Sequence, residues 1–267
     1  MGETHPSHHQ NHKLELIKSK KPFKCDGCKE MGVLKSYRCE KCDFDLHKYC
    51  MFNKPITHHE FYENCTFIFF DQPPGRKCCK RYCDACGKLV KGFVYHCEEM
   101  DLDLHPCCRN LPRKLEVDKV EFDLRDDGVL DKKCHWCKKR KLIGSVSGVR
   151  GWSYVSKCEE YRFHVYCATE MVVKEFKKDP KKMILLEGCK NESNINNNND
   201  DYDDTSSGLD VALKNMELPI EGDRRRRRSG KKKYIMIAKM FFKAFVGILL
   251  GDPTSSLVCL LVELLAK

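Results

Sequence analysis

Pairs of metal-binding side chains recur along this chain at fixed spacings, and no other feature restricts its fold as tightly. Cys25-x2-Cys28 is followed after ten residues by Cys39-x2-Cys42, then by His47-x2-Cys50. Cys83-x2-Cys86-x10-Cys97 repeats the opening spacings without a gap. The stretch CEKCDFDLHKYC at 39–50 also aligns with CEEMDLDLHPCC at 97–108, bringing His105 and Cys108 under His47 and Cys50. A third, looser unit runs Cys134-x2-Cys137, Cys158, His164-x2-Cys167. Such internal duplication is the first thing a fold must accommodate.

The histidines separate metal from disulfide. A disulfide scaffold gives no reason for His beside Cys at a constant offset, whereas zinc takes thiolate and imidazole together. The cysteine count of 19 is odd, and 18 of them lie in the first 190 residues. That density stands in for a large apolar core, because small units need staples. The N-terminus is polar, with no apolar leader core, so the expected setting is intracellular, in cytoplasm or nucleus, where thiols persist as ligands. Asn64-Cys65-Thr66 is then a sequon by chance.

Aromatic and β-branched stretches such as Phe93-Val94-Tyr95 and Trp152-Ser153-Tyr154-Val155 lead into the later ligands and read as short strands. Val165, Ala168, Val172 and Phe176 recur near a helical period that Pro180 would end. The expected fold is therefore a tandem of small α+β zinc-stabilised domains, each of short β-hairpins plus a short helix. The predicted order is a disordered 1–11 (with His5, His8 and His9 solvated), domains over 12–59, 60–112 and 113–180, a linker over 188–222 and a helical tail over 223–267. In the first domain His12 and His58 flank the six inner ligands, which makes eight donors, enough for two tetrahedral sites.

The pattern His12-x12-Cys25-x2-Cys28-x10-Cys39-x2-Cys42-x4-His47-x2-Cys50-x7-His58 resembles the divergent form of the diacylglycerol-binding zinc domain of protein kinase C. PFKCDGC, YRCEKCDFDLHKYC, KGFVYHC and DLHPCC resemble the plant cysteine/histidine-rich family built of such domains. The resemblance implies an interleaved pairing: Cys25, Cys28, His47 and Cys50 around one ion, and His12, Cys39, Cys42 and His58 around another. It carries over a single complete site to each later unit, Cys83, Cys86, His105 and Cys108 in one and Cys134, Cys137, His164 and Cys167 in the other. Their second sites look broken. In the second unit Met100 and Glu116 stand where ligands belong, though His59 could lead it. In the third, Tyr161 stands three past Cys158. About four zinc ions per chain are expected. Cys65, Cys78, Cys79, Cys107, Cys189 and Cys259 fall outside the pattern and read as packing or exposed thiols.

Closed four-ligand sites are structural, and no HExxH, GxSxG or Gly-rich phosphate loop is present, so no catalytic activity is expected. The favoured function is a signalling adaptor that binds a protein partner. The alternative is a cross-braced zinc finger of ubiquitin-ligase or chromatin-reader type, whose closing pair would fall near Cys83 and Cys86. Diacylglycerol is disfavoured, because only Lys29 to Arg38 separate Cys28 from Cys39 and the family's Gln-Gly is missing.

Asn191–Asn199 and the aspartates after it cannot fill a core and suit a linker. Next come Arg224, Arg225, Arg226, Arg227, Arg228, Lys231, Lys232 and Lys233, a basic targeting or membrane cluster. Residues 221–267 hold a surplus of +7 out of the chain's +10. Beyond them Tyr234–Leu250 reads as an amphipathic helix, broken at Gly251-Asp252-Pro253 before a second apolar stretch. Such a hairpin suits an anionic membrane surface or a protein surface equally. Nucleic acid is disfavoured, since the basic block lacks interleaved aromatics.

Overall fold

The computed structural model describes residues 2–7, 12–18, 21–76, 79–117, 120–126, 132–141 and 149–178, together with Phe241 and Phe245. The linker, the basic cluster, Cys78, Cys189 and Cys259 lie outside the described residues. Within them, three units follow one plan. The first holds β1 (Glu15–Lys18), β2 (Phe23–Lys24), β3 (Met31–Gly32), β4 (Lys35–Cys39), β5 (Phe44–Leu46) and α1 (Lys48–Met51). Its strands form a sheet of order β1-β4-β5 and the small β2-β3 hairpin. The second holds β6 (Ile56–His59), β7 (Tyr62–Phe70), β8 (Val94–Cys97), β9 (Leu102–Leu104) and α2 (Pro106–Arg109), with sheet order β6-β7-β8-β9. The third holds β10 (Lys114–Val117), β11 (Val120–Arg125), β12 (Ser153–Ser156), β13 (Arg162–His164) and α3 (Val165–Lys178), with sheet order β10-β11-β12-β13. All pairings are antiparallel.

Two expectations change at the edges of the first unit. Ile56–His59 pairs with β7, so the boundary falls before residue 56 rather than after 59. The N-terminal residues are not all free chain either. Glu3 bridges to Leu14, and His5 is buried with its ring stacked 5.5 Å from Phe93. An apolar neighbour outweighs the polarity of the local sequence here.

The same turn geometry builds each Cys-x2-Cys knuckle. The N–H of Lys29, Gly87 and Lys138 donates to the carbonyl of Cys25, Cys83 and Cys134, at 2.9, 2.7 and 2.8 Å. All three donors sit at positive φ, 65°, 70° and 58°, which closes the turn and aims both sulfurs to one side. A partly buried polar contact pins each knuckle to the strand behind it. The Asp26 carboxylate accepts from the Asp45 N–H at 2.9 Å, and Asp84 from Asp103 at 2.7 Å. In the third unit both residue types are exchanged: His135 Nδ1 accepts from the Arg162 N–H at 3.0 Å. The geometry outlives the chemistry that first supplied it.

The helices differ in length for a local reason. α1 and α2 each last four residues, whereas α3 runs for 14 because Val165, Ala168, Met171 and Val172 keep one face buried. Pro106 opens α2, a position where a missing N–H costs nothing.

The units stack by a repeated contact. The Phe93 N–H donates to the carbonyl of Gly27 in the first knuckle at 3.0 Å, and the Trp152 N–H to Ala85 in the second at 2.7 Å. Both acceptors must be small because the next unit's chain lies on them. A Cβ on Gly27 would meet the Phe93 ring at 2.5 Å, and one on Gly92 would meet the Gly27 carbonyl oxygen at 2.1 Å. Lys88 joins all three units through ion pairs to Glu30 and Glu170, each at 3.0 Å. Burial would lower its pKa, but the two carboxylates more than offset that and raise it. The second and third units share one core around Trp152, Phe67 and Phe122, while Phe93 joins the core of the first. Gly92→Ala is expected to separate the first unit from the second, because backbone cannot retreat as a side chain could. Faster hydrogen exchange at residues 25–29, with zinc content unchanged, would be the readout.

Candidate metal centres

Knuckle and helix bring four donors together in each unit. Cys25, Cys28, His47 and Cys50 form one cluster, Cys83, Cys86, His105 and Cys108 the second, and Cys134, Cys137, His164 and Cys167 the third. Within each cluster all donor atoms lie within 4.8 Å of one another. The histidine presents Nδ1 every time: His47 to Cys28 at 3.3 Å, His105 to Cys86 at 3.4 Å, His164 to Cys137 at 3.4 Å. Metal–ligand bonds of about 2.0–2.3 Å in a tetrahedron put neighbouring donors about 3.5–3.8 Å apart. These spacings fit a zinc ion. Ligation through Nδ1 leaves the proton on Nε2, which in His164 donates to the Arg140 carbonyl at 3.2 Å and orients the ring.

The electrostatics call for a cation. Cys86 is held well below the ordinary thiol value by hydrogen bonds from Cys108 and Cys83, while hydrogen bonding to Cys83 and Cys86 pushes Cys108 well above it. Sulfurs this close cannot all ionise alone, and a divalent ion removes that conflict.

A fourth group, His12, Cys39 and Cys42, lies at the edge of the first unit, with His12 Nδ1 at 3.0 Å from the Cys42 sulfur. His58 does not join it, contrary to the pairing the family pattern implies. It sits exposed on β6 in the second unit's sheet, where its Nδ1 meets the Cys65 carbonyl at 3.4 Å. Three Cys3His clusters and this three-donor group fit about four zinc ions per chain.

The degraded second sites are also clarified. His59 does not lead one: its ring packs 4.6 Å from Trp152, and burial with Arg109 and Arg113 nearby pushes its pKa down to about 4. Tyr161 is not a lost ligand position. In the first two units Cys39 pairs with Phe44 and Cys97 with Leu102, and in the third the Ser156 N–H meets the Tyr161 carbonyl at 2.9 Å. Ser156 therefore stands in the ligand's place, and Cys158 lies two residues further, exposed, its sulfur 3.3 Å from the Ser156 hydroxyl. Loop length had hidden this register.

Two cysteines without a sequence pattern acquire neighbours. Cys107 brings a fourth sulfur, and so a fifth donor, to the first centre, with contacts to Cys28 and Cys50. Cys65 is joined to Cys97 by a disulfide, with Cα atoms 6.0 Å apart. The adjacent pair Cys107-Cys108 was the available hint for the former; strand register was needed for the latter. Cys83 and Cys86 serve their own unit's cluster, so they do not close a cross-braced finger with the first.

Comparison with known proteins agrees with this geometry. A probable nucleoredoxin 1 of Arabidopsis thaliana is 46% identical over 46 residues, 17% of this chain and 8% of that protein. No solved structure matches. The family model described as C1 domain matches residues 6–51. The first Cys3His centre lies inside that segment, and the two later units carry Cys3His clusters of the same build, which fit zinc-binding C1-like domains.

Proposed function

We propose that this chain is a non-catalytic adaptor whose zinc ions order a surface for a protein partner in signalling. The observation that supports it is the closure of the three Cys3His centres. Each offers at least four protein donors, which fill a tetrahedral shell and leave no place for water or substrate. Metal binding energy is then folding energy, and function falls to the surface.

That surface carries exposed apolar positions, on strands and at the end of α1. Leu16 and Phe52 are 57% and 45% exposed; Leu16 stands opposite Tyr37, whose ring meets Phe52 edge-on at 5.1 Å. Ile56 and Ile68 face each other across β6 and β7, both exposed. Exposed apolar clusters of this kind suit a protein contact. A diacylglycerol role is disfavoured because Val33 and Leu34, in the interval between Cys28 and Cys39, are buried rather than offered to a lipid. Likeness to part of a nucleoredoxin covers 8% of that protein and brings no activity here. No helix among the described residues is long and apolar enough to cross a membrane.

The test compares full-length zinc-loaded chain with a Leu16→Glu/Phe52→Glu variant by quantitative crosslinking in cells. The expected result is a specific protein set depleted about tenfold in the variant at unchanged zinc content, a loss of roughly 1.4 kcal/mol. Equal capture by both, or ubiquitin transfer by the purified chain, would overturn the reading.

A further inference from the structure

We propose that Cys65 and Cys97 form a reversible thiol–disulfide site, occupying the position where the first unit holds its second metal group. Strand register carries the equivalence. Extending the β1–β4 ladder by one step sets Leu14 opposite Cys39. The β7–β8 ladder likewise sets Phe67 opposite Cys97, and β11–β12 pairs Phe122 with Ser156. Leu14, Phe67 and Phe122 are all fully buried, as one structural position should be. Two residues before each stand His12, Cys65 and Val120. Cys65 thus holds the place of the ligand His12, and Cys97 that of the ligand Cys39.

The remaining places explain why this pair would not hold zinc. Met100 stands where Cys42 stands, and it is 53% exposed. What is left is two thiols and the exposed carboxylate of Glu99, 3.1 Å from the Cys97 sulfur. Two sulfurs and one exposed oxygen make a poor structural zinc shell, but two sulfurs are all that a covalent cross-link requires. The disulfide ties β7 to β8 across 32 residues of sequence, joining the equivalents of the segments that the second metal group brings together in the first unit. The third unit has neither donor, with Val120 and Ser156 in these places. One position therefore carries metal, a disulfide and nothing in three successive units.

The chemistry is a two-electron exchange with a low-molecular-weight disulfide. One protein thiolate attacks a sulfur of the small disulfide, forming a mixed disulfide and expelling one small thiolate. The second protein thiolate then attacks the protein sulfur of that mixed disulfide and expels the other. Two protein thiols lose two protons and two electrons, and one small disulfide becomes two small thiols. Glu99 is placed to accept the Cys97 proton. Both sulfurs are buried, so exchange requires the outer end of the β7–β8 ladder to open.

The experiment uses full-length zinc-loaded protein equilibrated with graded ratios of reduced and oxidised glutathione, quenched by alkylation, then peptide-mapped and weighed under native conditions. The expected result is a peptide pair linked through Cys65 and Cys97 that forms and disappears reversibly. After the quench the reduced chain should be heavier than the linked one by two alkyl adducts plus about 2 Da for the two hydrogens, with the same zinc content at both extremes. Cys65→Ser and Cys97→Ala should each abolish the link. One additional zinc ion in the reduced chain, shielding both thiols from alkylation, would overturn the proposal in favour of a metal site. Absence of the link at every ratio, in wild-type chain that keeps its zinc, would overturn it in favour of passive packing.

Discussion

Replacing Cys28 with serine, in a chain whose Cys107 is also serine, will strip zinc from the first unit and unfold it. Cys28 is 1% exposed and contributes one of four donors to a centre around which the unit has little else. Its core cluster counts nine buried residues, and three of them are the ligands Cys25, Cys28 and Cys50 themselves. Apparent zinc binding in such units is worth about 10–16 kcal/mol, as much as the entire stability of an ordinary domain. Loss of a ligand cannot be absorbed by local relaxation. The Cys107 substitution matters because its sulfur already touches Cys28 and Cys50 and could take the vacated place. Native mass spectrometry should show the content falling from about four ions to about two, since the His12 group depends on the same unit. Hydrogen exchange across 14–51 should become fast, while 132–178 keeps its protection. Retained protection in the first unit would show that the centre is not what holds it.

Truncating Phe241 to alanine will destabilise the third unit by about 3–5 kcal/mol, the usual cost of emptying a fully buried aromatic position. Phe241 and Phe245 are helical and four apart, so they share a face, and both are fully buried. Phe241 stacks on Phe163 with ring centroids 4.3 Å apart, lies 5.1 Å from Phe122 and meets the Tyr154 ring edge-on at 5.8 Å. Phe245 adds a contact to Tyr154 at 5.9 Å. A tail segment thus completes the core of a domain that ends some sixty residues earlier by sequence, at about Lys178. Engagement of an anionic membrane through that face would first require both rings to leave. A denaturant titration followed by tryptophan fluorescence, with Trp152 in the same core, measures the loss. A change below about 1 kcal/mol would show that the rings do not stabilise the unit.

The metal centres were legible in the sequence because their chemistry is local. A Cys-x2-Cys turn and a His-x2-Cys helix start each place two donors by short-range geometry, so spacing alone named all twelve Cys3His ligands. Spacing failed where donors come from separate strands. His58 has the right count of residues after Cys50, yet Ile56–His59 pairs with β7 and carries it into the next sheet. Cys65 has no spacing signal, because its partner lies 32 residues away and only the register of β7 against β8 brings the sulfurs together. Cys158 looked like a ligand because loop length hid the ladder that puts Ser156 in that place.

From residue order one can read ligand identity, duplication and the small α+β character of the units, since each follows from contacts within a few residues. How the units stack is a different kind of fact. Gly27 and Ala85 are small because Phe93 and Trp152 lie on their carbonyls, and Phe241 is apolar because Phe163 awaits it. These constraints join residues far apart in the chain, and burial against a distant surface leaves no periodic trace in either partner.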